Sequence, residues 1–147
     1  MSVFERINSD LVSAMKAGDK GRTLALRGLK SAIKYREIDK GSDLTDDDAI
    51  AVVASTVKKH KDSIEQYDKA GRDDLVQEEK AQLEVALAYL PKQLEAEEIE
   101  KEVDEIIADV GASGPSDIGK VMKGIMPKLR GRADGKLVKE IVSRRLA

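Results

Sequence analysis

Apolar residues recur at helical spacing along almost the whole chain. Phe4, Ile7, Leu11 and Met15 set a first stripe behind Ser2 and Glu5, a capping-box pair, and predict a helix that ends at Gly18. Asp19 can cap a second helix with Leu26, Leu29 and Ile33 inward, ending near Gly41. Thr45 ahead of Asp46, Asp47 and Asp48 marks a third start, because acids favour the positive end of a helix dipole. Ile50, Val53, Val57 and Ile64 give that helix its buried face, and it should run to about Ala70. A fourth begins at Asp73 or Asp74 and carries Leu75, Leu83, Ala86, Leu87 and Leu90. It is predicted to stop at Pro91, since a proline pushes the residue before it out of the helical region.

The segment from Pro91 to Glu95 is the natural boundary, with a unit over residues 1–91 and a smaller one over 95–147. In the second unit Ile99, Val103, Ile106 and Val110 predict a fifth helix. A turn-rich loop from Gly111 follows, and Ser116 or Asp117 can cap a sixth helix. Ile118, Val121, Met122, Ile125 and Leu129 fall on one side of it, Lys120, Lys123 and Arg130 on the other. Pro127 predicts a kink or a loosened last turn, and Gly131 a stop. Asp134 can cap a seventh helix with Leu137, Val138, Ile141 and Val142 inward. The expected fold class is all-α: two linked helical bundles, an N-terminal four-helix unit and a small C-terminal three-helix unit. No strand-like alternation competes with it.

Composition changes the picture mainly through charge. Asp, Glu, Lys and Arg make up 37% of the chain, yet the net charge is only −2, so the charge must be read locally. Residues 95–110 hold eight acids and one base, a net of −7, whereas residues 119–146 hold nine bases and two acids, a net of +7. Such a half can pack its own opposite charges together or offer a basic face to an anionic partner. Lys20, Arg27, Lys30 and Lys34 make a second basic stripe on the second helix, read as solvated surface. With no cysteine, disulfides and thiolate chemistry are out, and a reducing cytosol is the default. The first residues have no apolar signal core and no run approaches membrane-spanning length, so the expectation is a cytoplasmic chain with no membrane partner.

Catalytic chemistry is sparse. Gly114 to Lys120 imitates the start of a phosphate-binding loop, but Val121 stands where that loop needs Ser or Thr, and a helix precedes it where a strand should. A capped helix start explains it better. His60 is the one histidine, at the edge of a core face. No second histidine or cysteine exists to complete a zinc site, so it reads as a hydrogen-bonded boundary residue. The carboxylates Glu98, Glu102 and Glu105 lack an ordered metal loop and read as a solvated face. No catalytic residue, cofactor site or metal site is therefore assigned. Aromatics are limited to Phe4, Tyr35, Tyr67 and Tyr89, without the clustering on which single-stranded bases stack, so any nucleic-acid contact should be to phosphates and shape.

One set of residues runs through both halves: Arg72, Asp73, Asp74 and Leu75 with Glu79; Tyr89, Leu90 and Pro91; Glu97, Glu98 and Ile99; Gly119, Lys120, Val121 and Met122; Met126; and Gly131 to Lys136. On these the chain resembles the GatB/YqeY family, and most closely its stand-alone YqeY-like members. In GatB a related unit forms the tail of a tRNA-dependent amidotransferase subunit and helps contact the tRNA body. That enzyme converts Glu or Asp misacylated on tRNA to Gln or Asn with glutamine as nitrogen donor, a carbon–nitrogen ligase activity. The resemblance implies that Gly119, Met122, Met126, Gly131, Ala133, Asp134 and Gly135 shape the tail. It does not bring the enzyme's catalytic portion, which this sequence lacks. The leading expectation is a non-catalytic accessory module that binds tRNA, or a tRNA–amidotransferase complex. Lys120, Lys123, Lys128, Arg130, Arg132 and Lys136 are the expected phosphate contacts, with Met122 and Met126 in the core. The alternative is a protein-interaction adaptor with no RNA contact, docking through the acidic fifth helix or the groove between bundles.

Overall fold

A computed structural model describes residues 1–147. The protein is all-helical. Its elements are α1 (Val3–Lys16), α2 (Lys20–Lys40), α3 (Asp46–Lys69), α4 (Asp73–Leu87), α5 (Ala96–Val110), α6 (Ile118–Leu129) and α7 (Gly135–Arg145), with a 3₁₀ turn at Pro115–Asp117. None of the helices is long and apolar enough to cross a membrane. By internal contacts the chain divides into two compact units, Met1–Leu90 and Pro91–Ala147.

Local sequence explains most helix ends. Ser2 and Glu5 form the capping box of α1, Asp19 accepts from the Arg22 backbone N–H at the start of α2, and Thr45 and Asp48 box the start of α3. The Lys40 ammonium beside Asp48, followed by the hydrogen bonds from Thr45, holds the Asp48 carboxyl below the usual carboxylate range. Gly41 closes α2 in the left-handed region at φ 77°, where a β-carbon would be strained.

Within the first unit α2 is the shared neighbour, packing against α1, α3 and α4. Ile7, Leu26, Leu29, Ile33 and Val53 are fully buried in this core. Each such side chain contributes roughly 1.5–3 kcal/mol of burial. Two expectations are corrected here. Met15 points outward and Ala14 takes its place in the core, because the α1 stripe continues from Val3, Ile7 and Leu11 rather than from Phe4. And α4 ends at Leu87, short of Pro91. Beyond it the chain turns so that the buried Tyr89 reaches back to α1, where its hydroxyl donates to the Asp10 carboxylate at 2.5 Å.

In the second unit α5, α6 and α7 each touch the other two. Ile99, Val103, Val121, Ile125, Val138, Ile141 and Val142 are fully buried, and Met122 and Met126 pack partly buried against them. Gly124 lies where α5 and α6 come closest: a β-carbon there would sit 3.3 Å from Ile106 Cγ2. The last helix turn of α6 accommodates Pro127, and the helix stops two residues later. Asp117 stands at the N-cap position of α6 but makes no cap bond to it. Its carboxylate instead accepts from the Ser113 backbone N–H at 2.9 Å, bracing the 3₁₀ turn.

Candidate nucleic-acid interface

The chain leaving α6 makes a tight reversal. Arg130 has φ −57° and ψ 125°, Gly131 has φ 76°, and the Arg132 N–H donates to the Leu129 carbonyl at 2.9 Å. That is a type II turn, and its third position demands positive φ, which is why glycine stands there. Residues just before α5 pin it from outside. The Gln93 side-chain amide donates to the Gly131 carbonyl at 2.7 Å, and the Leu94 N–H donates to the Arg132 carbonyl at 2.8 Å. Asp134 then caps α7 by accepting from the Lys136 N–H at 3.0 Å.

This frame sets where the predicted phosphate contacts lie. Lys120 and Lys123 are successive exposed residues on the outer face of α6, Lys128 is exposed in its last turn, Arg130 and Arg132 flank Gly131, and Lys136 lies in the first turn of α7. All six are exposed. Lys120, Lys123, Lys128, Arg130 and Arg132 take part in no ion pair. By contrast, Arg144 and Arg145 at the end of α7 are tied down. Arg144 meets Glu100 at 3.3 Å, and Arg145 meets Glu100 at 3.5 Å and Asp104 at 3.3 Å. The basic segment thus holds two arginines neutralised by α5 beside these five cations outside any ion pair.

Helix ends treat these cations differently: Lys128 in the last turn of α6 is favoured by its dipole, whereas Lys120 and Lys136 are not. α3, α4 and α5 each carry acids in the first turn, whereas α6 and α7 carry none and place Lys120 and Lys136 there. A cation in a first turn opposes the dipole by a few tenths of a kcal/mol up to about 1. Lys120 therefore does nothing for its own helix. Arg144 and Arg145 lie in a last turn, where the dipole favours them.

Other polar side chains singled out in the sequence have structural occupations. His60 Nδ1 lies 2.6 Å from Glu79 Oε2, a half-buried pair joining α3 to α4. Glu98 caps its own helix by accepting from the Glu95 N–H at 3.2 Å. The segment that imitates a phosphate-binding loop follows α5 and contains the 3₁₀ turn. No group of three or more His, Asp or Glu side chains is placed to hold a metal ion. Gln93 and Leu94 are positioning residues that sequence reasoning misses. Nothing local signals them, since their partners lie 38 residues further along the chain.

Comparison with known proteins bears on both family and location. A family profile described as Yqey-like protein matches residues 4–146. Altered inheritance of mitochondria protein 41, mitochondrial, from Lachancea thermotolerans is 37% identical over 114 residues, covering 75% of this chain and 60% of that protein. The protein of the same name from Kluyveromyces lactis is 36% identical over 75% of this chain and 61% of its own length. A glutamyl-tRNA(Gln) amidotransferase subunit from Thermococcus gammatolerans is 30% identical over 84% of this chain but only 19% of its own length. The chain thus spans about three fifths of the two mitochondrial relatives. Their names overturn the cytoplasmic expectation. A cysteine-free composition does not separate one compartment from another.

Proposed function

The chain belongs to the Yqey-like protein family, and from that premise we propose that it is a non-catalytic accessory module that binds tRNA, or an amidotransferase engaged with tRNA. Contact is made through Lys120, Lys123, Lys128, Arg130, Arg132 and Lys136. The supporting observation is the set of five exposed cations on α6 and its turn that no carboxylate neutralises, beside two arginines of the same segment that α5 does neutralise. Exposed cations with no internal partner are free to meet phosphates, and the pinned type II turn holds two of them, Arg130 and Arg132, in register. The match to part of an amidotransferase subunit whose name includes a tRNA supports the choice of RNA.

The test is binding of purified protein to a labelled bulk tRNA pool at several salt concentrations, with duplex DNA as control. Preference for tRNA with a steep salt slope is expected. Reversing Lys120, Lys123 and Arg130 to Glu should abolish binding while helicity by circular dichroism is unchanged. Binding retained by that variant would refute the site, and no tRNA binding at low salt would refute the function.

A further inference from the structure

α2 buries Leu26, Leu29 and Ile33, yet its outer face is not the uniformly polar surface of an ordinary bundle helix. Leu24, Gly28, Ser31, Tyr35 and Ile38 follow at alternating steps of four and three residues, which puts them on one stripe. Leu24, Tyr35 and Ile38 are 60%, 71% and 75% exposed. Between them Gly28 and Ser31 are small, and no atom lies within 4 Å of where a β-carbon on Gly28 would sit. The stripe is therefore a notched apolar seam of the kind that seats a second helix's side chains.

Cations predominate about the seam, with Glu37 and Asp39 the acids near its C-terminal end. Hollows of about 600 and 230 Å³ lie on this face. The first is lined by Met15, Lys20, Leu24 and Arg27 among others, the second by Lys30, Ser31, Lys34, Tyr35 and Ile38, and neither has an acidic side chain in its lining. Arg27 donates to Met15 Sδ at 3.5 Å, and Lys34 stands over the Phe4 ring and beside Glu37. Lys20 and Lys30 have no ion pair.

We propose that this face docks an amphipathic helix of a partner protein, one with an apolar seam and a row of carboxylates along its edge. The aliphatic side chains and the cations together select that occupant. A phosphate backbone would satisfy the cations and leave Leu24 and Ile38 without contacts. A second copy of α2 brings the same net charge, +5 over residues 20–40, against itself. A flat anionic lipid surface leaves the notch at Gly28 unfilled.

The probe is a synthetic heptad peptide with leucines along its seam and glutamates beside them, titrated into the isotope-labelled full chain and followed by amide NMR. A second peptide has lysines in place of the glutamates. The acidic peptide should bind with shifts centred on Leu24, Ser31, Tyr35 and Ile38, and the basic one should not. The Leu24→Glu/Ile38→Glu variant should lose at least about tenfold in affinity. The Arg27→Glu/Lys34→Glu variant should exchange the preference between the peptides. All these positions are exposed, so folding is checked simply by helicity. The proposal is overturned by no binding, by equal binding of both peptides, or by full affinity in the first variant. It is equally overturned if the α2 signals instead move with protein concentration alone, with tRNA or with phosphatidylglycerol vesicles. Because the tRNA site lies on α6 and α7, failure here leaves that reading standing, and the reverse holds.

Discussion

In the unit Met1–Leu90 several polar contacts tie separate elements together, beside local pairs such as Lys34–Glu37 and Lys69–Glu65. His60 meets Glu79 between α3 and α4, Tyr89 meets Asp10 of α1, Lys40 meets Asp48 between α2 and α3, and Val3 N–H donates to Asp46 at 2.8 Å. In the unit Pro91–Ala147 three ion pairs lie along one edge, where Glu100 and Asp104 of α5 take both arginines at the end of α7. The cations of α6 and its turn are left over. The difference separates charge that serves the fold from charge available to a partner. A +7 segment is not a +7 surface once the α5 acids packed against it have been counted.

The largest expected effect breaks the comparison at the cores. Ile125 is fully buried in the smaller unit, and Ile125→Ala should cost about 2–5 kcal/mol, a large share of what so small a core supplies. Hydrogen exchange should then show α5 to α7 losing protection while α1 to α4 keep theirs; equal loss in both would mean the units do not fold separately. Next comes the proposed tRNA site. Each phosphate contact contributes about 0.7–0.9 to the salt slope, so neutralising Lys120, Lys123 and Arg130 to Gln should lower it by roughly 2–3. An unchanged slope would assign the phosphates elsewhere.

Tyr89 sharpens the other side. Burial, then the adjacent Asp10 carboxylate, pushes its hydroxyl up to about 12 from 10.0, while Arg6 lies 5.3 Å from the ring centroid. The folded state thus holds this proton more tightly than the unfolded chain. Its contribution to stability is full below the unfolded value near 10.0 and is lost as pH rises through about 12. Tyr89→Phe should cost about 1–3 kcal/mol at neutral pH in urea unfolding and flatten the decline above pH 10. The smallest effect is expected from Arg144→Gln with Arg145→Gln. These exposed pairs are worth about 0–1 kcal/mol, and tRNA affinity should change far less than in the α6 variant. A comparable loss of binding would erase the distinction between paired and unpaired cations.

What the sequence could settle is what neighbouring residues settle among themselves. Ser2 with Glu5, Thr45 with Asp48, Asp19, Gly41 and Asp134 mark helix ends through contacts within a few residues, and apolar spacing shows the all-α class. Stripes on α2 and α6 are legible for the same reason, because helical periodicity is a local property. The α1 stripe reads one residue out of register at its ends, since Val3 and Phe4, like Ala14 and Met15, compete for one face until a neighbour is present. Charge can be counted along the chain but not assigned. Arg145 falls on the apolar side of α7, and only the arrival of Glu100 and Asp104, more than 40 residues earlier, makes it a paired residue, 42% exposed. The same holds for Gln93 and Leu94 against the α6–α7 turn. Tertiary structure decided these because a surface charge or an apolar side chain acquires its role from the groups packed around it, and those come from distant parts of the chain.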